Sequence, residues 1–208
     1  MSRPLFIYVH GFNSSPESIK ATLFGDYLRV HSGIGDYEVP RLSHWPAKAV
    51  QQLENLIEKN KNRDIVLIGS SLGGYYSVWL TEHFAQCRTV LVNPAIYPDR
   101  ILESWLGESE NLYTHERYTL TPQHLEQLKA LAVPRLKDTS RYLLLVQTAD
   151  DTLDYREAVD FLAAAAQFIQ PGGSHGFDQF EDLIPAIIQF AQGQVELPEA
   201  IPLPPSTA

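Results

Sequence analysis

Residues 65–74 read Ile65-Val66-Leu67-Ile68-Gly69-Ser70-Ser71-Leu72-Gly73-Gly74. Four consecutive β-branched or aliphatic residues closed by a glycine describe a short buried strand. Leu72–Phe84 then reads as a helix. Gly69-x-Ser71-x-Gly73 therefore occupies a strand-to-helix turn, the context in which a serine hydroxyl is lifted above a sheet as a nucleophile. Residues two before and two after such a serine pass close to neighbouring backbone and must be small. Gly69, Gly73 and Gly74 meet that need. The helix start also directs free amides and a positive dipole end at the reacting centre. The five-residue pattern alone is common; its place after a strand makes it specific. Ser70 is adjacent, but the glycine spacing selects Ser71.

Outward from this turn, short apolar runs alternate with amphipathic ones. Strands are expected at Leu5–Val9, Tyr37–Val39, Thr89–Val92, Tyr142–Val146 and Gln167–Ile169. Helices are expected at Ser18–His31, Ala47–Lys61, Tyr155–Ala165 and Asp182–Ala191. Such alternation implies an α/β protein with a mostly parallel sheet between two helical layers. Sites in these folds lie beyond the carboxyl ends of the strands. Reactive residues are therefore sought just after strands.

A serine hydroxyl needs a base. Of seven histidines, His175 alone lies in a late loop after the last strand, in Gly172-Gly173-Ser174-His175-Gly176-Phe177. That satisfies the chain order of nucleophile, acid and histidine. The acid is expected after Tyr142–Val146, where Asp150 and Asp151 compete. Asp150 is preferred because Asp151-Thr152-Leu153 leads into the next helix. Asp154 reads as that helix's N-cap. Asp99, after the preceding strand, is a remoter alternative. Acyl transfer also needs oxyanion donors. The backbone N–H of Leu72 is one; that of Phe12, in His10-Gly11-Phe12-Asn13-Ser14-Ser15-Pro16, is the other. His10 is read as structural. The lone cysteine, Cys87, is surrounded by no catalytic signature.

The chain has 208 residues, one domain's length. Residues 1–194 are read as one domain and 195–208 as an extended, poorly ordered Pro-rich tail. Residues 95–141 interrupt the alternation with scattered aromatics and two expected helices, Asp99–Leu106 and Pro122–Leu131. This insertion is read as a helical lid; the plainer alternative is a helical excursion packed on the sheet. The net charge of -9 argues against nucleic acid as the main partner. No run is long enough to span a membrane, and a single cysteine with no signal peptide leads to an expected cytoplasmic location. No cofactor is implied, since a serine triad is chemically complete. No phosphate loop, dinucleotide fingerprint or metal-ligand spacing is present.

Together, His10–Pro16, Gly69–Tyr76, Asn93-Pro94-Ala95, Leu153–Arg156 and Gly172-Gly173-x-His175-x-Phe177 resemble the YqiA-like family of small bacterial esterases of the α/β-hydrolase fold. The resemblance spans roughly Pro4 to Gln192. It implies hydrolysis of carboxylic esters or thioesters with short-to-medium acyl groups, with Ser71, Asp150 and His175 as triad. The sequence departs at Ala149, where relatives tend to carry glycine, so the choice between Asp150 and Asp151 stays open. A non-catalytic binding module and an acyltransferase using the same triad are the alternatives.

Overall fold

The computed structural model describes residues 3–204. Six strands form one sheet: β1 (Leu5–Val9), β2 (Asp36–Glu38), β3 (Ile65–Ser70), β4 (Cys87–Val92), β7 (Tyr142–Gln147) and β8 (Ala166–Gln170). Their order is β2-β1-β3-β4-β7-β8 and every pairing is parallel. The connecting helices are α1 (Ile19–Val30), α2 (Pro46–Lys59), α3 (Leu72–His83), α6 (Tyr155–Phe161) and α7 (Ile184–Ala191). This is the expected three-layer α/β arrangement.

Strand alternation sorts side chains onto the two faces. Leu5, Ile7, Val9, Ile65 and Leu67 pack with α2 and α3. Phe6, Tyr8, Val66, Ile68, Val90 and Val92 pack with α1 and α7. The runs are apolar throughout because both faces are covered. The chain winds outward from β1 to β2 and then back to β3, so β1 and β3 flank the topological switch point. The loop after β1 and the turn after β3 open into that crevice.

The insertion departs from the expected all-helical form. It holds α4 (Pro98–Glu103) and α5 (Pro122–Ala130), and between them an antiparallel hairpin of β5 (Gly107–Glu110) and β6 (Arg117–Leu120). The strands have four residues each and expose charged side chains, so they offered no apolar alternation to read. Residues 195–204 carry no regular structure. They are nonetheless docked, with Leu197 and Ala200 against the α1–α7 cluster. The Leu203 amide donates to the Pro171 carbonyl at 2.8 Å, and the Gln170 side-chain amide donates to the Ile201 carbonyl at 3.3 Å. The tail thus bonds to the chain at the carboxyl end of edge strand β8. Residues 205–208 lie outside the described ones. Among the described residues, no helix is long and apolar enough to cross a membrane.

A histidine pair ties the segment before α2 to α5. The Thr121 amide donates to His124 Nδ1 at 3.1 Å, leaving the proton on Nε2, which faces His44 Nδ1 at 3.1 Å. His124 also stacks on Trp45, with ring centroids 3.7 Å apart. Burial lowers the pKa of both histidines from the ordinary 6.5. Protons therefore bind the unfolded chain first as pH falls through 6.5, and stability drops. Melting temperatures at pH 7.5 and pH 5.5 are expected to differ less in His124→Gln than in the parent protein.

Candidate active site

The turn after β3 is strained at Ser71, whose φ is 53° and ψ is -121°. Left-handed φ at a residue with a Cβ costs about 1–3 kcal/mol and persists only where the surroundings impose it. A Cβ on Gly69 would stand 2.7 Å from both the Gly73 carbonyl oxygen and Gly74 Cα, and one on Gly73 would strike the Val9 carbonyl oxygen. The spacing of the glycines is thus a backbone-contact requirement. Ser71 stands at the end of β3 and caps the start of α3, with Leu72 as the first helical residue.

The Leu72 amide has no intrahelical acceptor. The loop after β1 runs alongside, close enough that a Cβ on Gly11 would be 3.1 Å from Ser71 Cβ. Among the described residues, neither the Phe12 nor the Leu72 amide is hydrogen-bonded to another group. His10 holds this loop. Its Nδ1 donates to the Gly11 carbonyl at 3.1 Å and its Nε2 accepts the Leu42 amide at 3.2 Å. Burial lowers its pKa, which favours this neutral form.

His175 Nδ1 lies 2.8 Å from Asp150 Oδ2. The Asp150 side chain is 1% exposed and that of His175 27%. Asp150 Oδ1 accepts the amides of Thr152 and Leu153, each at 2.9 Å. The carboxylate is therefore fixed from both sides. Asp151 is exposed and accepts only the Thr152 hydroxyl, at 3.3 Å. Asp154 caps α6, accepting the Arg156 amide at 3.0 Å. Asp99 lies on α4 beside a different cavity, with Tyr75 and Tyr97. Cys87 is buried at the amino end of β4, far along the strand from Ser71, and burial pushes its thiol up to about 12.

Two buried amides frame the histidine loop: Gln147, which sequence reasoning did not single out, and Asn93, which stood in a quoted motif without an assigned role. Gln147, at the end of β7, donates to the Asp178 carbonyl at 2.7 Å and accepts the Ser174 and Asp178 amides at 3.0 and 2.9 Å. Asn93, just after β4, donates to the Ser174 and His175 carbonyls at 2.9 and 3.1 Å. Gly173 has φ 76° and presses on the Gln147 amide, leaving no room for a Cβ. The signal for both was position: a polar residue ending an apolar strand, at the sheet edge where sites form.

Ser71 and His175 line one cavity of about 520 Å³ with Gly11, Phe12, Lys20, Leu23, Leu112 and Tyr113. No hydrogen bond joins the Ser71 hydroxyl to His175 here; such contacts commonly tighten only with substrate bound. Among the described residues, no three His, Cys, Asp or Glu side chains are grouped to hold a metal ion.

Residues 5–192 match the model of the Uncharacterised protein family (UPF0227), the YqiA-like family. The chain belongs to this family. Solved structures share the fold of this UPF0227 member. Est1E from Butyrivibrio proteoclasticus is 16% identical over 92% of this chain and 88% of its own, with TM-score 0.68. Mouse alpha/beta hydrolase domain-containing protein 10 is 13% identical over 90% and 89%, with TM-score 0.68. A Paleococcus ferrophilus monoacylglycerol lipase is 15% identical over 93% and 97%, with TM-score 0.65. The fold of the UPF0227 chain is therefore that of the α/β hydrolases.

Its hairpin grips the loop that carries the Phe12 amide. Asn13, at φ 51°, donates to Ser109 Oγ at 2.9 Å and accepts the Tyr118 hydroxyl at 2.6 Å. The Leu112 amide donates to the Asn13 carbonyl at 3.1 Å, and the Asn111 side chain to the Ser14 carbonyl at 2.9 Å. The insertion thus forms one wall of the cavity and braces the loop beside Ser71.

Proposed function

We propose that this chain is a serine hydrolase that cleaves carboxylic esters or thioesters through an acyl-enzyme on Ser71. The observation that carries the reading is the buried Asp150 carboxylate holding His175 at 2.8 Å over the cavity that Ser71 lines. Asp150 selects the tautomer with a proton on Nδ1, so Nε2 has a lone pair for the Ser71 proton. Ser71 Oγ attacks the acyl carbonyl as His175 takes that proton. The Phe12 and Leu72 amides stabilise the oxyanion. His175 returns the proton to the leaving alcohol or thiol, and the acyl group stays on Ser71. Water, deprotonated by His175, then attacks the acyl-enzyme and restores the serine. Apart from substrate and water, every group in this cycle belongs to the chain. The printed names of fold relatives, which include an esterase domain and a monoacylglycerol lipase, agree with the reading.

A fluorophosphonate probe is expected to label Ser71, located by peptide mass spectrometry. Folded protein that stays unlabelled would sink the proposal. The Asn13 brace makes a second prediction. Asn13→Gly keeps the left-handed backbone without strain and removes both side-chain bonds to the hairpin. It is expected to lower kcat about tenfold through a displaced Phe12 amide, with a smaller change in KM. Steady-state kinetics on a p-nitrophenyl short-chain ester measures both constants.

A further inference from the structure

Ser18 precedes α1, and a serine there ordinarily turns its hydroxyl onto an amide of its own helix. Ser18 does not. It makes no capping bond. The residue is 9% exposed, and its Oγ is the one buried side-chain polar atom without a partner among the described residues. Buried hydroxyls are rarely left so. Ser18 instead lines the cavity that contains Ser71 and His175.

Two further features lie beside it. Thr22 is the first amide of α1 to bond back, to the Ser18 carbonyl at 2.9 Å. The amides of Ile19, Lys20 and Ala21 therefore lack an intrahelical acceptor, at the positive end of a 12-residue helix. Lys20 lines the same cavity, and its ammonium donates to the Gly176 carbonyl at 2.8 Å, beside His175. No carboxylate pairs with it among the described residues. Burial lowers its pKa to about 8, against the opposing pull of the nearby Asp150 charge.

Resting on the esterase reading above, we infer that Ser18, Lys20 and the first amides of α1 form a subsite for a carboxylate carried by the substrate, apart from its scissile ester. One ammonium, one hydroxyl and a helix end match a monoanion with two acceptor oxygens. A phosphate dianion fits less well, because Asp178 and Glu181 line the same cavity. Asp178 Oδ1 is engaged by the Ser174 hydroxyl at 2.6 Å, and Glu181 is exposed, so neither neutralises Lys20. Ile19, Leu23 and Leu112 supply apolar lining for the chain between carboxylate and ester.

Four esters test this by kcat/KM. Monoethyl adipate carries a carboxylate on the acyl side and 3-(butyryloxy)propanoate on the alcohol side. 2-(Butyryloxy)ethyl phosphate carries a phosphate, and ethyl hexanoate is neutral. One of the carboxylates is expected to exceed the neutral ester by about tenfold, the scale of one charge-assisted contact. That ratio is expected to collapse in Lys20→Gln, to fall in Ser18→Ala and to survive in Lys20→Arg. A ratio near one in the parent protein, a ratio that persists in Lys20→Gln, or a preference for the phosphate ester each overturns the subsite. Calorimetric titration of monoethyl adipate and of 3-(butyryloxy)propanoate into Ser71→Ala reads the subsite without turnover. Binding of either ester weakened about tenfold by adding Lys20→Gln supports it, and equal binding of both overturns it, whatever becomes of the esterase reading.

Discussion

Replacing Ser71 by alanine is expected to lower kcat for a p-nitrophenyl short-chain ester by about 10⁴–10⁶-fold, while the protein stays folded. The magnitude follows from chemistry. Without Oγ there is no atom to receive the acyl group, so the path through two lower barriers closes. What survives is direct attack by water, helped by the Phe12 and Leu72 amides. The fold is expected to tolerate the change because the substitution removes one oxygen that bonds to nothing else in the structure. Circular dichroism and thermal melting check that, and loss of fluorophosphonate labelling ties the kinetic loss to the same atom. A Ser71→Ala protein with more than a tenth of parental kcat would place the nucleophile elsewhere.

The second large effect separates two neighbouring aspartates. Asp150→Asn is expected to lower kcat about 10⁴-fold, whereas Asp151→Asn leaves it nearly unchanged. Asparagine at 150 still accepts the Thr152 and Leu153 amides through its oxygen, so the turn keeps its shape. Its NH₂, however, would face His175 Nδ1, which must then give up its proton and carry one on Nε2. That nitrogen could no longer receive the serine proton. Asp151 is exposed and touches neither His175 nor the cavity lining that contains Ser71. Rates of both variants, measured with matched far-ultraviolet spectra, decide the point. The reverse ranking would move the acid by one residue.

Most of the sheet was legible because its signals are local. Leu5–Val9 and Ile65–Ile68 are apolar on both faces, which is what burial under two helical layers requires. Expected and observed strand bounds agree within two residues at these positions. The hairpin Gly107–Leu120 was not legible. Its strands are short and half-exposed, and they are held by contacts to Asn13 and Ser14 from about 100 residues away in sequence. The docking of residues 195–204 was not legible for a related reason. Prolines disfavour helix interiors and strand pairing, but they do not prevent docking beside an edge strand.

The sequence by itself determined the turn at Ser71. A strand, three glycines at contact-limited positions and a helix leave the backbone one route, because each constraint acts between near neighbours. It also singled out the Gly-rich loop at His175 as the place to look for the base proposed here. The tertiary structure alone decided which carboxylate reaches that imidazole. Asp150 and Asp151 are chemically identical and adjacent, and only the turn held by Thr152 and Leu153 gives them different directions. It alone also brought Ser18 and Lys20, at the start of α1, into the cavity of Ser71. Nothing in a serine or a lysine specifies what it will face. That depends on how α1 packs across the sheet, through contacts spread over the whole chain.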